Sequence, residues 1–159
     1  MNFFFDNNMA HKIADMIAAF CQDSHTVIHI TKHEDFVPNN IVSPNGKIIG
    51  NNTSDIEWIQ KLGASGKDWK IISSDMDIID TAHERAALLE SGLTFFACDH
   101  IRGKIKAAEQ AWKIVKLWDE IVRNAETPGP SLYRLRTGKH QCVEVIRSGM
   151  RARGGKFKS

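Results

Sequence analysis

The chain reads as an α/β protein, a three-layer α/β/α sandwich around a mostly parallel sheet of four to five strands. Three observations predict this. Short apolar runs recur at residues 3–5, 26–30, 69–73 and 93–97, and runs of this length read as strands buried on both faces of a parallel sheet. Segments with helical apolar spacing lie between most of them, as right-handed crossovers require. Carboxylates follow the runs, Asp6 after the first and Asp75 with Asp77 after the third. In open α/β sheets, ligands sit just beyond the carboxyl ends of the strands.

The elements follow in order. After Asp6, residues 9–20 place Met9, Ile13, Met16, Ile17 and Phe20 on one helical face, and residues 26–30 complete a βαβ unit. The connection over 31–53 is long and polar. Within it, Ile41-Val42 and Ile48-Ile49 flank Ser43-Pro44-Asn45-Gly46, which predicts a small hairpin that could act as a flap over the active edge. Ser54 with Glu57 makes a capping box for a helix over about 55–62, ended by Gly63, Gly66 and Lys67. A strand over 69–73, a helix over about 80–90 stopped by Ser91-Gly92, and a strand over 93–97 come next. The longest helix is expected over 104–124, with Ile105, Ala108, Trp112, Val115, Trp118 and Val122 as its stripe, broken by Thr127-Pro128-Gly129-Pro130. Beyond it, residues 132–135 and 143–146 read equally as short strands or helical turns.

At 159 residues and 42% hydrophobic, the chain is sized for one core. Residues 1–125 are expected to form the domain, and 126–159 a C-terminal extension ending in a flexible basic tail over 151–158. The net charge of +2 is too small to argue for a partner. Its distribution is uneven, with Arg134, Arg136, Lys139, Arg147, Arg151, Arg153, Lys156 and Lys158 crowding the end of the chain. Three scattered cysteines, Cys21, Cys98 and Cys142, fit neither a disulfide framework nor a zinc knuckle. No leader or membrane span is visible, so a cytoplasmic location is expected.

The carboxylates carry the chemistry. Asp6 and Asp75 are expected at the active edge, and Asp55 in the first turn of its helix. Clustered carboxylates repel and persist where a divalent cation or a bound proton compensates them. A hard cation such as Mg²⁺ or Mn²⁺ prefers such oxygen ligands, and two ions ~4 Å apart would stabilise both the nucleophile and the leaving oxygen of a phosphodiester displacement. Each acid also has a plainer reading. Asp55 and Asp77 are both placed to cap helices, Asp99 follows the fourth strand, and Asn7 or Asn8 is expected to cap the first helix. His25, His29 and His33 are spaced by four, but they lie along a strand, where that spacing does not gather ligands. Trp112 and Trp118 are expected in the core or at an interface.

Taken together, an apolar strand with Asp at the start, an acidic helix start at Asp55-Ile56-Glu57, and the strand-Ser-x-Asp-x-Asp of residues 71–77 resemble the PIN domain. They resemble most closely its compact PIN-like variants, some of which are VapC-type toxins of toxin–antitoxin pairs. The resemblance covers residues 2–124 and implies an α/β/α fold, Mg²⁺ or Mn²⁺, and hydrolysis of RNA. By position, Asp6 matches the first metal ligand and Asp75 the third, with Asp77 as a further ligand or water-positioning group. Asp55 or Glu57 matches the mid-chain acid, with Asp55 preferred. Asn7 and Asn8 follow Asp6 where PIN toxins usually carry Ser or Thr. The expected activity is a metal-dependent endoribonuclease acting as the toxin of a type II pair. Its expected partners are RNA, an antitoxin protein and a second copy of the chain, and no membrane. Two alternatives stand beside it: a haloacid-dehalogenase-like phosphatase using Asp75-Met76-Asp77, and a non-catalytic PIN-like RNA-binding or scaffold module.

Overall fold

The computed structural model describes residues 1–98, 107–136 and 141–146. In chain order these begin with β1 (Asn2–Phe5), α1 (His11–Cys21), β2 (Thr26–His29), β3 (Asn40–Val42), β4 (Ile48–Asn51) and α2 (Asp55–Ala64). They continue with β5 (Trp69–Ser73), α3 (Asp77–Asp80), α4 (Ala82–Ser91), β6 (Thr94–Cys98), α5 (Ala107–Ala125), β7 (Ser131–Arg136) and β8 (Gln141–Ile146). Asp99, the expected first turn of the long helix and the basic tail lie outside the described residues.

The main sheet runs β2-β1-β5-β6-β7-β8. Its first five strands are parallel and β8 is antiparallel to β7. The mostly parallel α/β architecture is therefore the one the apolar runs imply. The two ambiguous segments near the end both form strands, and the boundary expected after residue 125 falls between α5 and β7. Because β7 pairs in register with β6, from Thr94↔Ser131 to Cys98↔Leu135, the chain beyond that boundary continues the same sheet.

Strand β1 explains the three layers. Successive side chains of a strand point to opposite faces, so the run Phe3-Phe4-Phe5 splits. Phe3 and Phe5 join Ile13 and Ile17 of α1 and Ile114, Leu117 and Trp118 of α5. Phe4 joins Trp58, Ile59 and Leu62 of α2, Ile78 of α3 and Leu88 of α4 on the other face. All three rings are fully buried, each contributing roughly 2 kcal/mol by removal from water. Trp118 is a core residue against Phe3, with ring centroids 4.8 Å apart, whereas Trp112 is 55% exposed.

Local chemistry shapes the crossovers. The hairpin β3–β4 forms around Asn45-Gly46, with Gly46 at φ 81° as the turn demands. Polar side chains tie this long connection down: Asn40 Nδ2 donates to Thr31 O at 2.9 Å and Asn51 Nδ2 to Phe36 O at 2.8 Å. Gly63 does not end α2, as expected, but lies inside it. A Cβ there would meet Ser91 Cβ at 2.7 Å, so glycine is what lets α2 and α4 touch.

The helix expected over about 80–90 forms as α4, and a short additional helix, α3, precedes it. The Asp77 N–H donates to Asp75 Oδ1 at 2.8 Å and starts α3 at once after the strand. Thr81, at ψ 116°, separates it from α4, and Arg85 Nη1 donates back to Ile79 O at 2.7 Å. Cys21 and Cys98 are buried and Cys142 is partly buried. Among the described residues, no helix is long and apolar enough to cross a membrane.

Candidate active site

Strand register builds the site. Phe5 pairs with Ile72, so the next residues along the two parallel strands, Asp6 and Ser73, emerge side by side at the carboxyl edge. Ser73 is fully buried and works in both directions. Its hydroxyl donates to Asp6 Oδ2 at 2.5 Å and accepts the Asp75 N–H at 2.9 Å. Asp6 and Asp75 are thereby held in one frame by the last residue of β5.

Asn8 completes the link. Its Nδ2 donates to Asp6 Oδ2 at 3.4 Å and to Asp75 Oδ2 at 3.2 Å, while its backbone N–H donates to Asp6 Oδ1 at 3.2 Å. The turn that carries it is pinned twice, by Ser74 Oγ donating to Asn8 O and by His29 Nε2 donating to Met9 O, both at 2.8 Å. Because the Thr31 N–H donates to His29 Nδ1 at 3.2 Å, the proton of that ring sits on Nε2. The expectation that Asn7 or Asn8 caps α1 is overturned. Ala10 occupies the N-cap with no side-chain bond, because Asn8 is committed to the carboxylates and Asn7 Oδ1 accepts the Asn51 N–H at 2.9 Å.

The electrostatics follow from burial. Asp6 is 1% exposed, and its pKa is raised to about 7, first by loss of water and then by the charges of Asp55 and Asp75, against the opposing bonds from Ser73 and Asn8. The Asp75 carboxyl is also pushed up, mainly by burial and then by Asp55 and Asp77, while its bonds from Asp77 N and Asn8 lower it. Asp55 thus acts on both strand-end acids. Glu57 instead pairs with Lys61 at 3.1 Å along the outside of α2. Ser54 accepts the Glu57 N–H at 3.3 Å, so the capping role belongs to Ser54, and Asp55 holds the Trp58 indole N–H at 2.9 Å. Asp77 is exposed and reaches the group through its charge on Asp75.

Glu84 is an acid that the sequence reading missed. Its pKa is raised, first by burial and then by Asp55, Asp75 and Asp77, and its Oε2 is enclosed without a hydrogen-bond partner. Helical spacing does not mark it, because Asp77 lies on α3 and Glu84 on α4, on opposite sides of the break at Thr81. Asp6, Asp55, Asp75, Asp77 and Glu84 therefore form one mutually repelling group of oxygen donors, the type a hard divalent cation prefers.

Among the described residues, no three or more His, Cys, Asp or Glu side chains are grouped closely enough to hold a metal ion by themselves. The Asn8 amide lies between Asp6 and Asp75 instead, contributing hydrogen-bond donors where the carboxylates have none of their own. Mg²⁺ keeps several waters and takes only one or two carboxylates directly, so the Asp6–Asp75 pair fits it without a closed cage. His25, His29 and His33 are not a metal group. His29 serves the Met9 turn, while His25 packs on Phe3 and Trp118, and His33 on Phe4, Phe36 and Trp69.

No curated protein and no solved structure matches the chain. A family model described as a PIN-like domain matches residues 1–100, a span that includes Asp6, Asp55, Asp75, Asp77 and Glu84. With the parallel sheet and its acidic carboxyl edge, that match carries the conclusion that the chain belongs to the PIN-like domain family and has a nuclease-type fold.

Proposed function

We propose that this chain is a Mg²⁺- or Mn²⁺-dependent endoribonuclease that hydrolyses RNA phosphodiester bonds. The observation that carries the reading is Asp6: a fully buried carboxyl at the sheet edge, beside like charges, with its pKa raised to about 7. Such an arrangement is costly unless a cation compensates it. Asp6 and Asp75 would hold the ion, with Asp55 and Asp77 alongside and Glu84 adding negative potential. When bound, the ion would supply a water of lowered pKa and charge stabilisation at the phosphate. Ser73 fixes the spacing of the two principal ligands, and the Asn8 amide steadies both carboxylates.

We propose further that the nuclease is the toxin of a type II pair. Met16 and Phe20 on α1 and Trp112 on α5 are exposed on the two helices that share one layer, a surface that an antitoxin or a second copy of the chain would cover. The phosphatase alternative is less favoured, because both oxygens of Asp75 accept hydrogen bonds, from Asp77 N and from Asn8 Nδ2, whereas a nucleophile needs one directed at substrate. Purified protein is expected to cleave RNA with Mn²⁺ or Mg²⁺, and Asp6→Asn to remain folded and inactive. Equal cleavage by the two proteins would sink the nuclease reading. RNA binding with no metal-dependent cleavage would favour a scaffold role.

A further inference from the structure

Beside the carboxylates, a cleft of about 360 Å³ opens between the start of α1 and the hairpin β3–β4. It is not a separate feature of the surface. Asn8, which bridges Asp6 and Asp75, is one of its walls, together with Asn7, His11, Lys47, Ile48 and Ile49. The hairpin is held to the site by the Asn51 N–H donating to Asn7 Oδ1 at 2.9 Å, so its position is coupled to the turn that follows Asp6.

The lining combines three kinds of group. Lys47 is exposed at the turn end of the hairpin and carries the positive charge that a phosphate requires. His11 presents an imidazole of the kind that reads a base or a ribose hydroxyl, while Asn7 Oδ1 is engaged by the Asn51 N–H and Asn8 Nδ2 by the two carboxylates. Ile48 and Ile49 form an apolar wall on the hairpin side, with Ile49 63% exposed. A volume near the low end of small-ligand sites, roughly 300–1,000 Å³, suits one nucleotide rather than a protein segment. Its opening onto Asn8 puts that nucleotide next to whatever phosphate the carboxylates engage.

We propose that this cleft is the subsite for the nucleotide adjoining the scissile phosphate, with Lys47 and Ile49 as its main affinity determinants. The assignment rests on the ribonuclease reading and extends it to a part of the chain outside the acidic edge. A base can enter only if it is unstacked, so the subsite selects an unpaired nucleotide over the same sequence in a duplex.

The test is fluorescence anisotropy of a labelled single-stranded RNA oligonucleotide titrated with the full chain in EDTA, with cleavage in Mn²⁺ measured separately. Ile49→Asp is expected to weaken binding at least tenfold. Lys47→Ala is expected to weaken it as well and to reduce the slope of log affinity against log salt by about 0.7, the loss of one phosphate contact on a single strand. Lys116→Ala, the same change of charge on the exposed side of α5, serves as the control and leaves the slope as it was. Cleavage by the wild type with unaltered affinity in Ile49→Asp and Lys47→Ala overturns the subsite. An equal effect of Lys47→Ala and Lys116→Ala also overturns it, because the attraction is then diffuse. Binding that depends on Lys47 and Ile49, but with no metal-dependent cleavage, overturns the nuclease reading and leaves an RNA-binding cleft.

Discussion

Replacing Asp6 by Asn should make the metal-free protein more stable, and more so as the pH rises. In the folded chain the carboxyl titrates at about 7 against 3.8 for an unperturbed group. The folded state therefore holds a proton that the unfolded state has lost, and stability falls as pH rises between those values. Above pH 7 the accumulated cost is about 4 kcal/mol, three pKa units at 1.36 kcal/mol each. Asn keeps the shape and removes the charge, but its amide meets a donor where Asp6 Oδ1 accepted the Asn8 N–H, at a cost of about 1 kcal/mol. The net gain is about 3 kcal/mol at pH 8, or roughly 10 °C in melting temperature for a chain of this size. It should be largely gone by pH 5. The assay is urea denaturation followed by fluorescence of the buried Trp58, Trp69 and Trp118 in EDTA at several pH values. A variant that is less stable than wild type at every pH, or whose difference does not vary with pH, would refute the reasoning. Mn²⁺ should stabilise wild type and leave the variant unmoved.

Three further outcomes follow from the same geometry. Phe4→Ala, at a ring enclosed by Phe36, Trp58 and Trp69, should cost about 3–5 kcal/mol in the same denaturation experiment. In the Asp6→Asn background, stability should drop as pH falls below about 6.5, because burial lowers the His29 pKa while the unfolded chain protonates normally. His29→Gln should lessen that slope, and an unchanged slope would mean that His25 and His33, also lowered by burial, carry it. Glu84→Gln should weaken Mn²⁺ binding by roughly 10–100-fold in calorimetry while the fold is kept; unchanged affinity would place Glu84 outside the metal site.

Much of the fold is legible in the chain. Phe3-Phe4-Phe5, the run over 69–73 and the run over 93–97 carry enough apolar surface, without polar alternation, that only a strand covered on both faces buries it. Position at the end of such runs marks Asp6 and Asp75 without any structure, and Asn45-Gly46 between apolar pairs marks the hairpin. The strands β7 and β8 are less legible because short segments of mixed polarity fit a strand and a helical turn equally well. Only the pairing of β7 with β6 and of β8 with β7 decides them.

The acids differ in the same way. Asp55 and Glu57 are equivalent by local pattern, since both occupy the first turn of one helix, and the direction each faces depends on how α2 packs. Glu57 pairs with Lys61 one turn along the same helix, and the packing of α2 brings Asp55 to bear on the acids of the carboxyl edge. Glu84 was hidden because a helix read as continuous from residue 80 gives no sign of the break at Thr81. Ser73 and Asn8 are ordinary polar residues until the register of β1 against β5 sets them between Asp6 and Asp75.

By itself, the sequence determined the α/β class, the strand-end positions of Asp6 and Asp75, and the oxygen-rich character of the site. These follow from burial of local apolar runs and from residue chemistry. Tertiary structure alone decided that Ser73 and Asn8 join the two acids, that Asp55 rather than Glu57 bears on them, and that Glu84 and the hairpin cleft stand alongside. These depend on parallel register and helix packing, which are set by contacts between residues far apart in the chain and leave no periodic trace within any one segment.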